Sequence, residues 1–343
     1  MARPVRIVHA RAPLRVNDIG GWTDTWFAHT GRVLNVAVGP PVEVQVKAVR
    51  RGRDDPRVLI HAENYGQTFR VDPAQPSSTF HPLLQMAVRA VPPPAGLSVE
   101  VRLHSPVPAG ISTGTSASVC VALLGALDAL RGGRLGPAGL AALAHHVETE
   151  MLGIQSGIQD QISAAYGGIC FIDVQRYPRA RVERLRPGAD LLRELERRLC
   201  LIYLGRPHSS SDIHESVIAR LEREGGHSQA LGRLAGLAVR GRRALLAGNL
   251  EAYGAVMIEN NEAQRALHPR LVSERADRVI AIARKHGASG WKVNGAGGKG
   301  GSLTVLASPD DGQRRRMIAA VLELGGGIRH LPLVLSVAGF QAW

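Results

Sequence analysis

The stretch Pro108-Ala109-Gly110-Ile111-Ser112-Thr113-Gly114-Thr115-Ser116-Ala117-Ser118 decides how this chain is read, because it runs without a break into the apolar segment from Thr115 to Arg131. A loop of Gly, Ser and Thr at a helix N-terminus presents free backbone N–H groups and the positive end of the helix dipole, which together hold phosphate oxygens. The hydroxyls of Thr115 and Ser116 also suit a Mg²⁺ ion bridging such oxygens. The same composition fits an N-cap cluster that merely opens a core helix. Two commoner sites are excluded. No Gly-Lys-Ser/Thr follows at Walker A spacing, and Gly114-Thr115-Ser116-Ala117-Ser118 lacks the closing glycine of a nucleophile elbow.

Two further glycine stretches lie far from it. Arg11 through Asp24 places a guanidinium, Arg15, and the carboxylates Asp18 and Asp24 around Gly20-Gly21-Trp22-Thr23. Such groups suit a polyol and a moving phosphoryl group, or a turn with exposed charges. Gly295-Ala296-Gly297-Gly298-Lys299-Gly300 matches GxGxxG, yet strand-like residues follow it where a dinucleotide site needs a helix. It reads instead as a hairpin, or as a loop letting backbone approach a ligand closely. Between the second and third stretches, Asp160 sits in the weakly charged run from Gly157 to Gly168, where a carboxylate is costly without a partner or a task. Glu148, at the end of the preceding helix, is a second candidate acid.

Around these points the chain alternates between strand and helix patterns. Val33–Val38 and Val42–Val46 read as two strands flanking Gly39-Pro40-Pro41, and Leu97–Leu103 as a third. Thr115–Arg131 reads as a buried helix stopped by Gly132-Gly133. The next helix opens at Gly136-Pro137 with Leu140, Leu143, Val147 and Met151 on one face. Ile169–Ile172 and Leu199–Leu204 read as buried strands, and Ser273–His286 as a helix leading into Trp291-Lys292-Val293. The pattern restarts near residue 192, which gives an N-terminal domain over 1–192 and a C-terminal domain over 193–343.

Composition narrows the function classes. The chain has 343 residues, 45% of them hydrophobic, and is globular. Its three cysteines lie in apolar runs without CxxC spacing, as expected of buried thiols in a reducing compartment. With no signal-peptide core and no apolar span of membrane length, the expectation is a cytoplasmic protein without a membrane partner. The net charge of +13 rests on arginine, since only Lys47, Lys285, Lys292 and Lys299 are lysines. Those arginines are scattered and no aromatic residues interleave with them, so a small anionic substrate is expected rather than nucleic acid.

Taken in this order, the stretches resemble the GHMP kinases, the superfamily of galactokinase, homoserine kinase, mevalonate kinase and phosphomevalonate kinase. Arg15 to Asp24 is similar to the first family motif, Pro108 to Ser118 to the second, Gly157 to Gln161 to the segment around the catalytic aspartate, and Gly295 to Gly301 to the third. Ser112-Thr113-Gly114-Thr115-Ser116 stands where Gly-Leu-Gly-Ser-Ser is usual. Gly20-Gly21-Trp22-Thr23-Asp24 resembles the heptose 7-phosphate kinase and fucokinase branch, which phosphorylates an anomeric hydroxyl.

The resemblance implies an α+β two-domain fold, with a ribosomal-protein-S5-like N-terminal domain and a ferredoxin-like C-terminal domain. It implies Asp160 as general base and Arg15 as stabiliser of the transferring group. ATP would be held by Pro108, Gly110, Ser112, Thr113, Gly114, Thr115, Ser116, Gly295, Gly297 and Gly298, with Mg²⁺ on Glu148 and on Thr115 or Ser116. A sugar or sugar phosphate would meet Gly20, Gly21, Trp22, Thr23 and Asp24, with Arg206 and His208 on a substrate phosphate. Trp22 would stack on the sugar or pack between the domains. A homodimer is compatible with this reading. The alternatives are a 1-kinase of the fucokinase or arabinokinase kind acting on an unphosphorylated sugar, and a non-catalytic sensor of sugar or nucleotide on the same fold.

Overall fold

The computed structural model describes residues 5–77, 79–108, 110–207 and 212–343. Its first sheet is built on β1 (Val5–Ile19) and β2 (Gly31–Arg50), which pair antiparallel along most of their length. Sequence punctuation predicts two strands with a turn at Gly39-Pro40-Pro41, but β2 runs through all three residues. Each half has its own partner across the other edge. β3 (Val58–Ala62), β4 (Gln67–Val71) and β5 (Leu97–His104) extend the sheet from the C-terminal half of β2, where β5 pairs Glu43–Arg50. β6 (Ile169–Arg176) pairs the N-terminal half, Gly31–Val36, and carries β7 (Arg179–Leu185). These ladders, rather than the local turn signal, set the course of the strand.

Four helices accompany this sheet: α1 (Pro82–Ala90), α2 (Thr115–Leu130), α3 (Pro137–His146) and α4 (Gln159–Tyr166). α2 packs on β1 and β2 and is flanked by the other three. That central seat explains why its sequence is apolar nearly all round, with Cys120 to Leu127 buried without a break. The face read from Leu140 to Met151 spans α3 and a π-helical turn, Val147–Met151, which carries Glu148.

After α5 (Ala189–Arg198) the second unit begins with β8 (Leu199–Tyr203), followed by α6 (Asp212–Glu224), α7 (Gln229–Leu246) and α8 (Leu250–Leu267). It continues through α9 (Glu274–Lys285), β9 (Gly290–Val293), β10 (Ser302–Leu306), α10 (Asp311–Glu323) and β11 (Arg329–Leu331). The four strands lie in the order β11-β8-β10-β9, all antiparallel. This is the ferredoxin-like order, with the first and third strands at the centre. Val279, Ile280, Met317 and Val321 of α9 and α10 close its core.

α7 and α8 form an antiparallel pair that reaches both sheets, α7 against β2 and α8 against β9. The chain then returns to the first sheet: β12 (Val334–Leu335) pairs β2 and β13 (Gln341–Ala342) pairs β1. The α+β architecture therefore holds, with the last strands crossing back to the first sheet. No helix of the described residues is long and apolar enough to cross a membrane.

Candidate active site

The two units meet where β1 ends and the loop after β9 begins, and the glycine stretches converge there. The backbone N–H of Arg15 donates to Thr113 O at 2.9 Å, which fastens the second stretch to β1. Ser118 Oγ donates to Pro13 O at 2.6 Å and reinforces the attachment. Ser302 Oγ, at the start of β10, donates to Ile111 O at 2.6 Å and brings in the third stretch from the other side.

Arg15 and Asp160 form the centre. Arg15 Nε lies 2.7 Å from Asp160 Oδ1 and Nη2 3.1 Å from Oδ2, while Nη1 donates to Ser112 O at 2.6 Å. Arg15 is buried, whereas the Asp160 side chain keeps 28% of its surface open. Burial works against the guanidinium charge, but Asp160 and Asp18 more than offset it and hold the group firmly protonated. Gly114 N-caps α2 beside this pair with φ +71°, and a Cβ there would lie 3.2 Å from Asp160 Cγ and 3.3 Å from Arg15 Cγ. Only a residue without a side chain suits both that φ and that gap.

Three cavities adjoin one another through shared walls. One of about 290 Å³ is lined by the second stretch, Arg15, Glu148, Asp160, Gly295 and Ala296. A second of about 290 Å³ shares Gly110, Thr115 and Ser116 with it and is walled mainly by apolar groups such as Val42, Leu84 and Val119. The third, about 280 Å³, shares Arg15, Asp160, Gly295 and Ala296 with the first and adds Asp18, Trp22, Asp24, Gln159 and His214. The result is a continuous cleft with an apolar pocket, a hydroxyl- and amide-rich passage and a polar pocket. Arg15 and Asp160 stand at the last junction.

Two carboxylates of this cleft, Glu148 and Asp24, are desolvated. Burial, aided by the charge of Asp160, pushes Glu148 up to about 7 against the hydrogen bonds from Ser156 and Gln161 that favour its ionised form. Both bonds fall on Oε2, from Ser156 Oγ at 2.9 Å and Gln161 Nε2 at 2.7 Å. Asp24 is 2% exposed and burial raises it to about 6, although the backbone N–H of Gln159 donates to its Oδ2 at 3.0 Å. Its close approach requires Gly157, where a Cβ would stand 2.2 Å from that same oxygen.

The predicted residues take different places around the cleft. Gly110, Ser112, Thr113, Gly114, Thr115, Ser116, Glu148 and Gly295 line the passage, with Thr115 half-buried and Ser116 exposed. Trp22 and Asp24 line the polar pocket, where Trp22 stacks on His214 at a centroid distance of 6.2 Å. Gly20, Gly21 and Thr23 lie behind that wall: Gly20 N–H donates to Asn260 Oδ1, and the Thr23 hydroxyl donates to Gly20 O. They shape the turn that presents Trp22 and Asp24. Gly297 and Gly298 are held against Leu271, and Pro108 stands outside the cavity walls. Arg206 is exposed after β8 and is not among the residues lining the polar pocket. His208 lies outside the described residues.

Sequence reasoning passed over Gln159 and Lys292 and gave Asp18 no individual role. Lys292 is 1% exposed and its Nζ lies 3.0 Å from Asp18 Oδ1. The signal was available: a lysine in an apolar strand of a chain that otherwise favours arginine. Gln159 Oε1 and Trp22 Nε1 are buried without a hydrogen-bond partner among the described residues, and both residues line the polar pocket.

The relatives that this chain matches are named kinases, phosphotransferases with an alcohol acceptor. Residues 82–168 match the family described as GHMP kinases N terminal domain. The chain is 24% identical over 345 aligned positions to the D-glycero-alpha-D-manno-heptose 7-phosphate kinase of Campylobacter jejuni, covering 99% of each protein. It is 26% identical over 322 residues to the bifunctional fucokinase/GDP-fucose pyrophosphorylase of Arabidopsis thaliana, covering 89% of this chain and 30% of that protein. The crystal structure of a D-glycero-D-manno-heptose 1-phosphate kinase from Bacteriodes thetaiotaomicron has the same fold, with a TM-score of 0.75 over 98% of both chains and 20% identity.

Proposed function

We propose that this chain is an ATP-dependent sugar kinase that phosphorylates the anomeric hydroxyl of a heptose 7-phosphate or a related sugar. The observation that carries this reading is the position of Asp160, paired with Arg15 where the phosphate passage opens into the polar pocket. The full-length correspondence with the Campylobacter heptose 7-phosphate kinase supports the choice of acceptor.

Phosphoryl transfer asks a protein mainly for positioning and charge neutralisation. The apolar pocket takes the nucleotide base, and the N-terminal turn of α2 takes the phosphates on free N–H groups. Asp24, Gln159 and Trp22 orient the acceptor hydroxyls. Asp160 accepts the proton of the attacking hydroxyl, which contributes about 10²–10⁴-fold. Arg15 fixes the direction of Asp160 and faces the charge that builds on the transferred group.

Mg²⁺ fits this donor set. Glu148 is a buried carboxylate beside a second one, its bonds to Ser156 and Gln161 both fall on Oε2, and it borders the passage. Hard oxygen donors few in number suit an ion that keeps waters and phosphate oxygens as its remaining ligands. Glu148 with Thr115 or Ser116 would hold it, and it would supply charge neutralisation on the phosphates.

A second reading, a 1-kinase of an unphosphorylated sugar, is favoured by the wall of the polar pocket. Its aromatic members Trp22, Trp26 and Phe27 and its carboxylates suit a neutral polyol, and the guanidinium that lines it, Arg15, is engaged by Asp160. A panel of heptose phosphates, hexoses and deoxyhexoses, scored by ADP release, separates the two. Highest kcat/KM on a heptose 7-phosphate, with a product whose phosphorus couples to the anomeric proton, is expected. A tenfold preference for an unphosphorylated sugar selects the second reading, and no ADP release with any sugar overturns both.

A further inference from the structure

Lys292 and Asp18 form a buried ion pair across the boundary between the two units, one from β9 and one from β1, with the side chains 1% and 2% exposed. Asp18 Oδ1 is the shared point. It receives Lys292 Nζ at 3.0 Å and the backbone N–H of Gly295 at 3.1 Å, and Arg15 Nη1 stands 3.8 Å away. Lys292 also donates to Val293 O at 2.7 Å and lies 3.5 Å from Gln264 Oε1 on α8. The other ionisable groups that interact with Asp18 are Asp24, just beyond β1, and Tyr253 on α8.

This cluster poses a problem of charge allocation. Arg15 is within reach of two carboxylates, Asp160 at 2.7 Å and Asp18 at 3.8 Å. In a desolvated site the guanidinium is drawn to whichever carboxylate lacks another cation, because an uncompensated buried charge is costly. Lys292 supplies the cation for Asp18.

We infer that Lys292 is a positioning residue for phosphoryl transfer: it neutralises Asp18, so that Arg15 stays on Asp160 and the Gly295 loop stays seated on the site. The inference rests on the kinase reading for its catalytic part, while the allocation of charge can be tested without substrate.

Removing the ammonium by Lys292→Met leaves Asp18 buried without its cation. The nearest replacement is Arg15, 3.8 Å away, which the uncompensated carboxylate draws off Asp160. Turnover of this variant therefore falls, and the loss is relieved when the Asp18 charge is removed as well. Displacement of Arg15 by about 1 Å corresponds to a loss on the order of a hundredfold.

The test compares Lys292→Met, Lys292→Arg and the double variant Asp18→Asn/Lys292→Met in the full chain, with the sugar that serves best. Lys292→Met is expected to lose about a hundredfold in kcat. Lys292→Arg, which keeps the charge, stays within about tenfold of wild type, and the double variant recovers at least about tenfold over the single one. Thermal melting without substrate should follow the same order, the double variant above the single one. The inference is overturned by a Lys292→Met enzyme with wild-type kcat, or by a double variant no better than the single one. If Lys292→Met is insoluble, an active double variant supports the charge role, and an equally insoluble one shows that Lys292 serves packing alone. A wild type that turns over no sugar sinks the kinase reading, and the order of melting still decides the allocation of charge.

Discussion

Arg15 grips Asp160 at two points, Nε on Oδ1 at 2.7 Å and Nη2 on Oδ2 at 3.1 Å, although 145 residues separate them in the chain. The contact joins the first strand to the first turn of α4 at the junction of two cavities. A carboxylate held this way is paired with a cation and fixed in direction, as a base needs to be in order to take a proton from a bound hydroxyl.

Replacing Asp160 by Asn preserves shape and removes the base. The expected result is a fall in kcat of at least about a hundredfold, with nucleotide affinity within about threefold of wild type, since Asp160 borders rather than forms the α2 N-terminal turn. Titration calorimetry with ATP alongside steady-state ADP release checks both halves. Near-normal turnover would remove Asp160 from the base role.

Arg15→Lys keeps a positive charge but cannot reproduce the fork that spans both oxygens of Asp160 and Ser112 O. A kcat loss of about 10–100-fold with a smaller change in KM for ATP is expected, because geometry fails while net charge does not. An equal fall in both parameters would instead assign Arg15 to ground-state binding of the nucleotide.

Much of this was legible in the sequence where the signal was local. The unbroken apolar run after Gly114 specifies a buried helix, and the Gly-Ser-Thr loop before it lines the passage beside Arg15 and Asp160. Asp160 stood out as a carboxylate in a run with few other charges. What escaped reading depends on distant partners. The Gly39-Pro40-Pro41 punctuation was overruled by ladders to β5 and β6. Asp18 and Lys292 lie 274 residues apart, so no local pattern links them. Gly20, Gly21 and Thr23 share a motif with Trp22 and Asp24, yet only the latter two face the cavity, because a tight turn alternates between wall and support.

Asp24 should make stability depend on pH in a defined direction. Burial raises its pKa from an ordinary 3.8 to about 6, so the folded chain holds the proton more tightly than the unfolded one. That contribution is fully present below 3.8 and is lost as pH rises to about 6. Above it the buried carboxylate costs about 3 kcal/mol. Asp24→Asn is therefore expected to melt higher than wild type at pH near 8 and to show no advantage at pH near 4. At the same time it raises KM for the sugar by about tenfold or more, as a lost hydrogen-bonded hydroxyl contact would. Melting curves across that pH window, with the sign of the difference unchanged throughout, would contradict the assignment.

Gly125, in the middle of α2, offers a test of the returning C-terminal segment. A Cβ there would stand 2.2 Å from Phe340 Cζ, and Phe340 N–H donates to Ala165 O at 3.2 Å, so the ring is seated directly on the helix backbone. Gly125→Ala must displace it and is expected to destabilise the protein by about 1–3 kcal/mol, as overpacking does. In a Phe340→Ala background the clash is gone. The same substitution should then be neutral or stabilising by up to about 1 kcal/mol, because alanine is the better helix former. Urea denaturation of the four proteins measures both steps. The change of sign between backgrounds is diagnostic, since a cost that persisted without the ring would mean that the tail does not rest on α2.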